Sequence, residues 1–577
     1  MLTRAVSPLL ARSGLLIVGL LLVAAATAQT PRGRPDAGVL SVPQAPALPA
    51  PRQGAPIIRA PAPAVRSPAS LAVRMAPAAF RFVGNRVFDA AVLAPLLADQ
   101  LNRPTDLVGL TEAANRISAF YRARGYLLTE AYIPAQAFAA TGGTVTIAVL
   151  EARIGQVTVK TEAPEISSAF ATQLVRQQLV AGEAVTEYAL DKAVLLLRDL
   201  AGYDAAAVVE PGREAGQADV VVTVTAAGSR TDLSVGVDNH GARAAGAARA
   251  SVNASVNNLL GRGDLLAATV QNTSQQGSAT YRVGYTLPVG GYGTKVSAQV
   301  LRLEYALGKQ FTALGATGQA DIVGVTVVQP LVRSRESNLQ GIAGVERKKL
   351  VDETATPALR SEREILSLKA GLAGNFADGV GGGQARNSYS ATATLGQLTL
   401  SPADQAGDSG ATGLKTAGTF RKLNLDYQRL QILDRAASVS LLAQAQWASK
   451  NLSSAEKMTL GGPYGVRAYP VGEGVGDTGL LLNLEYRHDI DASVIGLPLT
   501  LLAFYDIGQV HFNRNGATVA GAANSLTLSG FGIGATVGQS GRFLLRTYLA
   551  WPRNDLPPST GDGAKAPRAW VSAQTWF

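Results

Sequence analysis

The chain has 577 residues, too long for one small domain, so several domains are expected. It contains no cysteine, which excludes a disulfide framework, thiolate metal sites and a cysteine nucleophile. The formal net charge is +10, but the basic residues are scattered without an aromatic-basic cluster, and His240, His488 and His511 are widely separated, so no nucleic-acid partner, metal or other cofactor is expected.

The N-terminus reads as a secretory signal over residues 1–28. Arg4 and Arg12 precede an apolar core from Gly14 to Ala25, and Ala26-Thr27-Ala28 is a small-x-small cleavage site. No later segment offers the roughly 20 apolar residues that a membrane-spanning helix needs. Residues 29–76 are rich in Pro and Ala, with six arginines against Asp36 alone. That composition favours extended chain, so a flexible basic linker without a helix is expected there.

Residues 77–152 and 153–228 read as two copies of one small α/β unit, offset by about 75 residues. In the first, Leu110, Ala113, Ala114, Ile117, Phe120 and Tyr121 share a helix face, Gly125 ends the helix, and Val145, Ile147 and Val149 alternate as in a half-buried strand. In the second, Leu190, Val194, Leu197 and Leu200 form the helical stripe, Gly202-Tyr203 echoes Gly125-Tyr126, and Val220, Val222 and Val224 form a strand.

From residue 229 to 577 helical periodicity gives way to short alternating segments. Leu482, Leu484 and Tyr486 alternate with Asn483, Glu485 and Arg487, and Phe531, Ile533 and Ala535 alternate with Gly530, Gly532 and Gly534. The pattern persists for about 350 residues, far longer than a soluble sandwich. At about 22 residues per strand and loop it has room for about 16 strands of a transmembrane antiparallel β-barrel. The terminal Val571-Ser-Ala-Gln-Thr-Trp-Phe577 is an alternating strand expected to close the barrel, with Phe577 as its C-terminal signal; an open edge in lipid would leave backbone groups unpaired.

One loop departs from this texture: Gly461-Gly-Pro-Tyr-Gly-Val-Arg-Ala-Tyr-Pro-Val-Gly-Glu-Gly474 places Arg467 inside a run of glycines and prolines. About forty residues later Phe504-Tyr-Asp-Ile-Gly508 carries Asp506 on the same strand face as Phe504 and Gly508. The pair suggests a loop arginine docking onto a carboxylate in a wall.

The order of these features resembles the two-partner secretion outer-membrane transporters, the TpsB proteins of the hemolysin secretion/activation family (ShlB/FhaC/HecB). Tyr121-Arg-Ala-Arg-Gly-Tyr126, Ile133-Pro-Ala-Gln136, Leu195-Leu-Leu-Arg-Asp-Leu-Ala-Gly202, Val237-Asp-Asn-His-Gly241 and Asn258-Leu-Leu-Gly-Arg-Gly-Asp264 occur in the family's order. Gly465-Val-Arg-Ala-Tyr469 looks like its VRGY signature, with Glu473 following, and Phe504-Tyr-Asp-Ile-Gly508 like its FxDxG signature.

The resemblance implies two α+β POTRA domains in the periplasm and a barrel in the outer membrane of a Gram-negative bacterium. It implies that the signature loop folds into the lumen, that Arg467 pairs with Asp506, and that Gly530, Gly532 and Gly534 leave room for the loop. Its partners would be a large, β-helical exported protein held unfolded by the POTRA domains, outer-membrane lipids, and the barrel-assembly machinery during biogenesis. Two departures stand out. Ala468 replaces the signature's usual glycine and would be strained at a left-handed position, and no N-terminal plug helix is evident in the Pro-rich residues 29–76. Alternative readings are a BamA- or TamA-type assembly factor, which carries more POTRA domains, and a passive porin, which needs neither periplasmic domains nor the loop. No catalytic constellation points to an enzyme: Gly379-Val-Gly-Gly-Gly383 lacks the Gly-Lys-Ser/Thr of a phosphate loop.

Overall fold

The computed structural model describes residues 35–41 and 75–577, apart from 138–142, 215, 275–276, 492–495, 517–522, 540 and 554–566, and the backbone of 58–59. The signal peptide expected over 1–28 lies outside the described residues.

The first element corrects the expectation of a helix-free linker. Helix α1 (Ala37–Ser41) fits between Pro35 and Pro43. Pro35 precedes the helix start, where no amide donor is missed, and the Asp36 carboxylate accepts the Val39 N–H at 2.9 Å as an N-terminal cap. A two-residue strand, β1 (Ile58–Arg59), follows.

The first small unit comprises β2 (Ala79–Val83), α2 (Ala90–Leu93), α3 (Leu107–Arg122), β3 (Glu130–Tyr132) and β4 (Thr144–Leu150), with sheet order β2-β4-β3. Helix α3 is capped by Asp106, whose side chain accepts the Gly109 N–H, and buries Ala113, Ala114, Ile117 and Tyr121 against Ile147 and Val149, and Leu110 against Val145. The Tyr121 hydroxyl donates to Glu151 at 2.8 Å, and burial followed by that bond pushes the phenol's pKa upward.

The second unit repeats the order with β5 (Arg153–Thr161), α4 (Ser168–Gln178), α5 (Glu187–Arg198), β6 (Tyr203–Pro211) and β7 (Gln217–Ala226). Leu190, Val194, Leu197, Leu200, Val220, Val222 and Val224 lie in one core. Its sheet runs β1-β6-β7-β5, so the linker strand β1 sits on the outer edge of β6, in parallel.

Sixteen antiparallel strands then close into a barrel. In chain order they are β8 (Thr231–Asp238), β9 (Arg249–Asn257), β10 (Leu265–Thr273), β11 (Ser278–Val289), β12 (Thr294–Ala306), β13 (Thr317–Arg333), β14 (Ser337–Ala355), β15 (Ala358–Asp378), β16 (Ala385–Leu400), β17 (Gly418–Ile432) and β18 (Ala437–Ala448). After the short β19 (Met458–Thr459) and β20 (Val475–Gly476), which pair only with each other, come β21 (Thr478–Ile490), β22 (Leu499–His511), β23 (Ser525–Gln539), β24 (Phe543–Pro552) and β25 (Arg568–Trp576). Outward positions such as Leu366, Leu368, Leu480, Leu484, Phe531 and Ile533 are exposed and apolar, as a lipid-facing wall requires.

Closure is made by β25 on β8. Its ladder has five residue pairs, against nineteen for β14 with β15. Asn239 extends it by imitating a peptide: its side-chain amide donates to the Ala569 carbonyl at 2.9 Å and its side-chain oxygen accepts the Val571 N–H at 2.8 Å. Phe577, largely exposed, donates its backbone N–H to the Leu233 carbonyl.

The second unit docks on the turns at the barrel's near end. The Arg333 guanidinium makes two 2.7 Å bonds to Asp199, and Arg335 pairs with Asp191 and Glu187. The Tyr203 hydroxyl donates to the Gly261 carbonyl at 2.6 Å, and Gly263, at φ 69°, lies so close to Leu200 that no side chain fits there. The phrase Asn258–Asp264 is this docking turn.

Candidate functional site

The loop between β18 and β21, residues 449–477, runs into the barrel interior. Its upper limb is tied to the wall by Glu456, which pairs with Lys348 on β14 at 2.8 Å and Lys422 on β17 at 2.7 Å. Helix α1 wedges beside it: the Ala37 N–H donates to Asp352, Asp36 accepts from Arg363 and from the Ser454 hydroxyl, and Gly38 abuts Ser454 and Ala455 with no space for a side chain. Below this, β19 and β20 form a small ladder continued by Leu460 N–H to Gly474 O and Gly461 N–H to Glu473 O.

The tip is a compact turn. Val466 donates its N–H to the Leu460 carbonyl and Tyr469 to the Val466 carbonyl; Val466, Tyr469 and Glu473 are all buried. Gly465 lies against the Leu460 carbonyl, leaving no room for a side chain. The left-handed backbone positions fall on Gly462, Gly472 and Gly474, with φ of 119°, 83° and 67°. Ala468 is outside that region, so the strain expected from its replacing a glycine is absent.

Arg467 points from this turn into the wall. Its Nε and Nη2 donate to both oxygens of Asp506 at 2.9 and 2.8 Å, and its backbone N–H donates to the same carboxylate at 3.0 Å. Its Nη1 donates to Glu485 at 2.6 Å, and its guanidinium lies 3.4 Å from the centroid of the Phe504 ring. Asn483 bridges Asp506 and the Gly465 carbonyl, Arg487 balances Glu485, and the Trp570 indole N–H on β25 donates to the Arg467 carbonyl at 2.7 Å. Asp506 is fully buried. Two cations thus face two carboxylates, which offsets the desolvation of each.

The wall is shaped to receive the tip. Asp506, Phe504 and Leu502 stand opposite Gly530, Gly532 and Gly534. A Cβ on Gly530 would come within 2.5 Å of the Ala468 Cβ, and one on Gly508 within 2.7 Å of Leu460, so these two glycines make room for the loop. Gly532 and Gly534 do something else: they accommodate the Phe504 ring and the Tyr548 and Leu502 side chains. At the tip's flank, Tyr464 packs edge-on against His240 with ring centroids 5.6 Å apart, and His240 against Trp570 at 5.8 Å. Below the tip lies a cavity of about 1260 Å³, bounded by Asp199 and Leu200 of the second unit, by Ser390, Gln428 and Gln444 of the wall, and by Gly461 to Gly465. Among the described residues no group of His, Asp and Glu is placed to hold a metal ion.

Glu485 and Asn483 escaped the motif reading, although both fall on the polar phase of the strand preceding Phe504–Gly508. Glu456 with its two lysines and Asp36 had no local signal, because their partners lie far away in sequence.

The haemolysin secretion/activation protein ShlB/FhaC/HecB family profile matches residues 216–537, and the ShlB-type POTRA domain profile matches 76–152. The chain belongs to the ShlB/FhaC/HecB family. It is an outer-membrane two-partner secretion transporter of exported proteins, with its POTRA region in the periplasm. It is 26% identical over 484 residues to the heme/hemopexin transporter protein HuxB of Haemophilus influenzae, covering 83% of each chain. To the outer membrane transporter CdiB of Dickeya dadantii it is 21% identical over 470 residues, 79% of each chain. Its fold is similar to that of CdiB from Escherichia coli, with TM-score 0.71, 21% identity, and coverage of 91% of this chain and 94% of that one. The ends joined to the POTRA region therefore face the periplasm, and the 449–477 loop enters the lumen from the cell exterior.

Proposed function

We propose that this transporter binds an unfolded exported protein through its two periplasmic units, the second acting as a further POTRA domain, and passes it through the lumen. The observation that carries this reading is Arg467, seated between Asp506 and Glu485 so that its loop crosses the lumen above the cavity shared with the second unit. The loop is a lid, and the Arg467–Asp506 pair is its lock. Gly465, Val466, Ala468, Tyr469 and Glu473 shape the lid; Phe504, Gly508 and Gly530 shape its seat.

A POTRA sheet edge accepts an extended chain by main-chain hydrogen bonds, which tolerates varied sequence. Folding of a β-helical cargo outside supplies the free energy, and the protein acts as a conduit, not an enzyme. The lipid-facing wall and the β25–β8 closure, with Phe577 at its end, serve insertion into the outer membrane by the assembly machinery.

The test is a secretion assay at matched outer-membrane levels, comparing wild type with Arg467→Ala and Asp506→Ala. Cargo in the medium with wild type and a shared defect in both variants supports the reading. Cargo indifferent to the transporter, with other barrels failing to assemble in its absence, would instead make it an assembly factor.

A further inference from the structure

The 449–477 loop is held in two different ways along its length. Its limbs, residues 449–459 and 475–477, are tied to the wall over a wide arc. The Glu456 carboxylate meets Lys348 on β14 and Lys422 on β17, and the backbone carbonyls of Ala455 and Glu456 accept from the same two ammonium groups. Lys457 reaches the Phe512 carbonyl, just beyond β22, at 2.6 Å. Asp477 accepts the Leu452 and Arg514 N–H groups at 3.0 and 2.8 Å and pairs with Lys457 at 3.0 Å. The Asn451 side chain joins two neighbouring outer loops: it donates to the Leu414 carbonyl at 2.7 Å and accepts the Asn515 N–H at 2.9 Å.

Gln446 stands at the neck between the limbs. It lies on β18, and its amide nitrogen donates to the Glu456 carbonyl at 2.9 Å and to the Asp477 carbonyl at 3.0 Å, one on each limb. Asn424 on β17 donates to its side-chain oxygen at 2.9 Å, so both amide hydrogens are used and the amide is held in one orientation. Gln446, Asn451, Glu456 and Asp477 are all buried. In sequence Gln446 is one more polar residue on the lumen phase of a strand, and nothing there singles it out.

The tip, residues 460–474, is clamped to the wall by the side chain of Arg467, between Asp506 and Glu485. Glycines with left-handed backbone mark the passage from limb to tip: Gly462, at φ 119°, on one side, and Gly472 and Gly474, at 83° and 67°, on the other. Glycine takes either sign of φ at little cost, so the backbone turns most freely at these positions.

We propose that opening moves the tip alone. The limbs form a fixed collar with Gln446 as its staple, and residues 460–474 swing about the glycines at 462, 472 and 474. This rests on the lid reading. Ala455 to Thr459 line the cavity, so the collar forms one side of the open passage and the exported chain runs against it. Gln446, Glu456 and Asp477 are its positioning residues. They keep the pivot fixed, so that the returning tip brings Arg467 back onto Asp506.

The absence of cysteine allows labels to be placed at will. Spin labels are introduced at Tyr464 on the tip or at Thr459 on the collar, each paired with one at the outward residue Leu368 on β15, in full-length reconstituted protein. In Arg467→Ala the Tyr464–Leu368 distance should shift or broaden, while the Thr459–Leu368 distance keeps its wild-type value. Adding Gln446→Leu removes two hydrogen bonds and should raise the fraction of displaced collar about tenfold or more, shifting the Thr459 distance as well. Single-channel conductance of that double variant should exceed that of Arg467→Ala. Glu456→Gln, which keeps the side chain's shape and removes its charge, repeats the test at a second residue. Thr459 moving together with Tyr464 in Arg467→Ala would overturn the proposal. So would distances and conductance that neither added substitution changes. If neither label moves in Arg467→Ala, the lid reading itself fails and the collar falls with it.

Discussion

Arg467→Ala removes two hydrogen bonds to Asp506, one to Glu485 and the stacking over Phe504, and leaves Asp506 fully buried. Breaking a buried pair from one side costs about 3–5 kcal/mol. The lower end applies, because Asp506 keeps the Asn483 amide and the residue 467 backbone N–H, and Glu485 keeps Arg487. A loss of about 3 kcal/mol shifts the seated-to-unseated ratio of the lid by about 10²-fold. Arg467→Lys keeps the charge but not the fork that grips both Asp506 oxygens, and should fall between wild type and Ala. Lid position is read by spin labels at single introduced cysteines on Tyr464 and on the outward residue Leu480, in reconstituted protein. Unchanged label distances in Arg467→Ala, with barrel melting unchanged, would refute the reasoning: the lid would then be held by its upper limb and the pair would be incidental.

Three further outcomes are expected. Gly530→Ala brings a methyl against Ala468 and the Trp551 carbonyl and should loosen the lid, with Ala468→Gly restoring part of the loss; additive effects in that double-mutant cycle would argue against contact. Gly38→Val or Asp36→Ala should expel α1, whose site has no space beside Ser454 and whose cap and ion pair are lost, and raise single-channel conductance without altering barrel melting. Burial holds the His240 imidazole at about 4, below its ordinary 6.5, with Asp238 opposing and Arg249 and Arg546 reinforcing the shift. The opened site binds the proton more readily than the closed one. Closure is therefore fully stabilised above about pH 6.5, weakens as pH falls toward about 4 and changes no further below that. His240→Phe should flatten that dependence in conductance records; a wild-type response centred outside this window would point to another group.

The barrel was legible because lipid imposes a period: alternating apolar and small or polar residues recur from β8 to β25, and closure follows from the unpaired groups an open edge would leave. The Arg467–Asp506 contact was legible as sequence because one loop arginine and one strand carboxylate stand out from their neighbours. What surrounds them was not. Glu485 and Asn483 reach Arg467 only because β21 lies beside β22 in a register that sets Asn483 opposite Asp506. Residues 29–76 misled by composition: average proline content argued against a helix, but the spacing from Pro35 to Pro43 leaves one turn free, and distant groups on β14, β15 and the lid hold it. The glycines at 530, 532 and 534 looked alike in sequence and differ in role, since what each one faces is decided by the strand opposite.

The lid and the closure of the barrel share residues, and this follows from where the shortest ladder lies. β25 reaches β8 through five pairs plus the Asn239 side chain. Trp570 on β25 holds the Arg467 carbonyl, and His240, two residues beyond the end of β8, stands between Trp570 and Tyr464 of the lid tip. The seated lid therefore touches β25 and the segment just beyond β8 from inside, while Arg467 itself is held from β21 and β22 on the neighbouring wall. On the lid proposal, a lid fixed to one part of the wall and packed against the shortest ladder would brace that seam. On the same proposal, release of Arg467 would remove the brace together with the obstruction, and opening the lumen and loosening the closure would be one energetic event, not two independent ones.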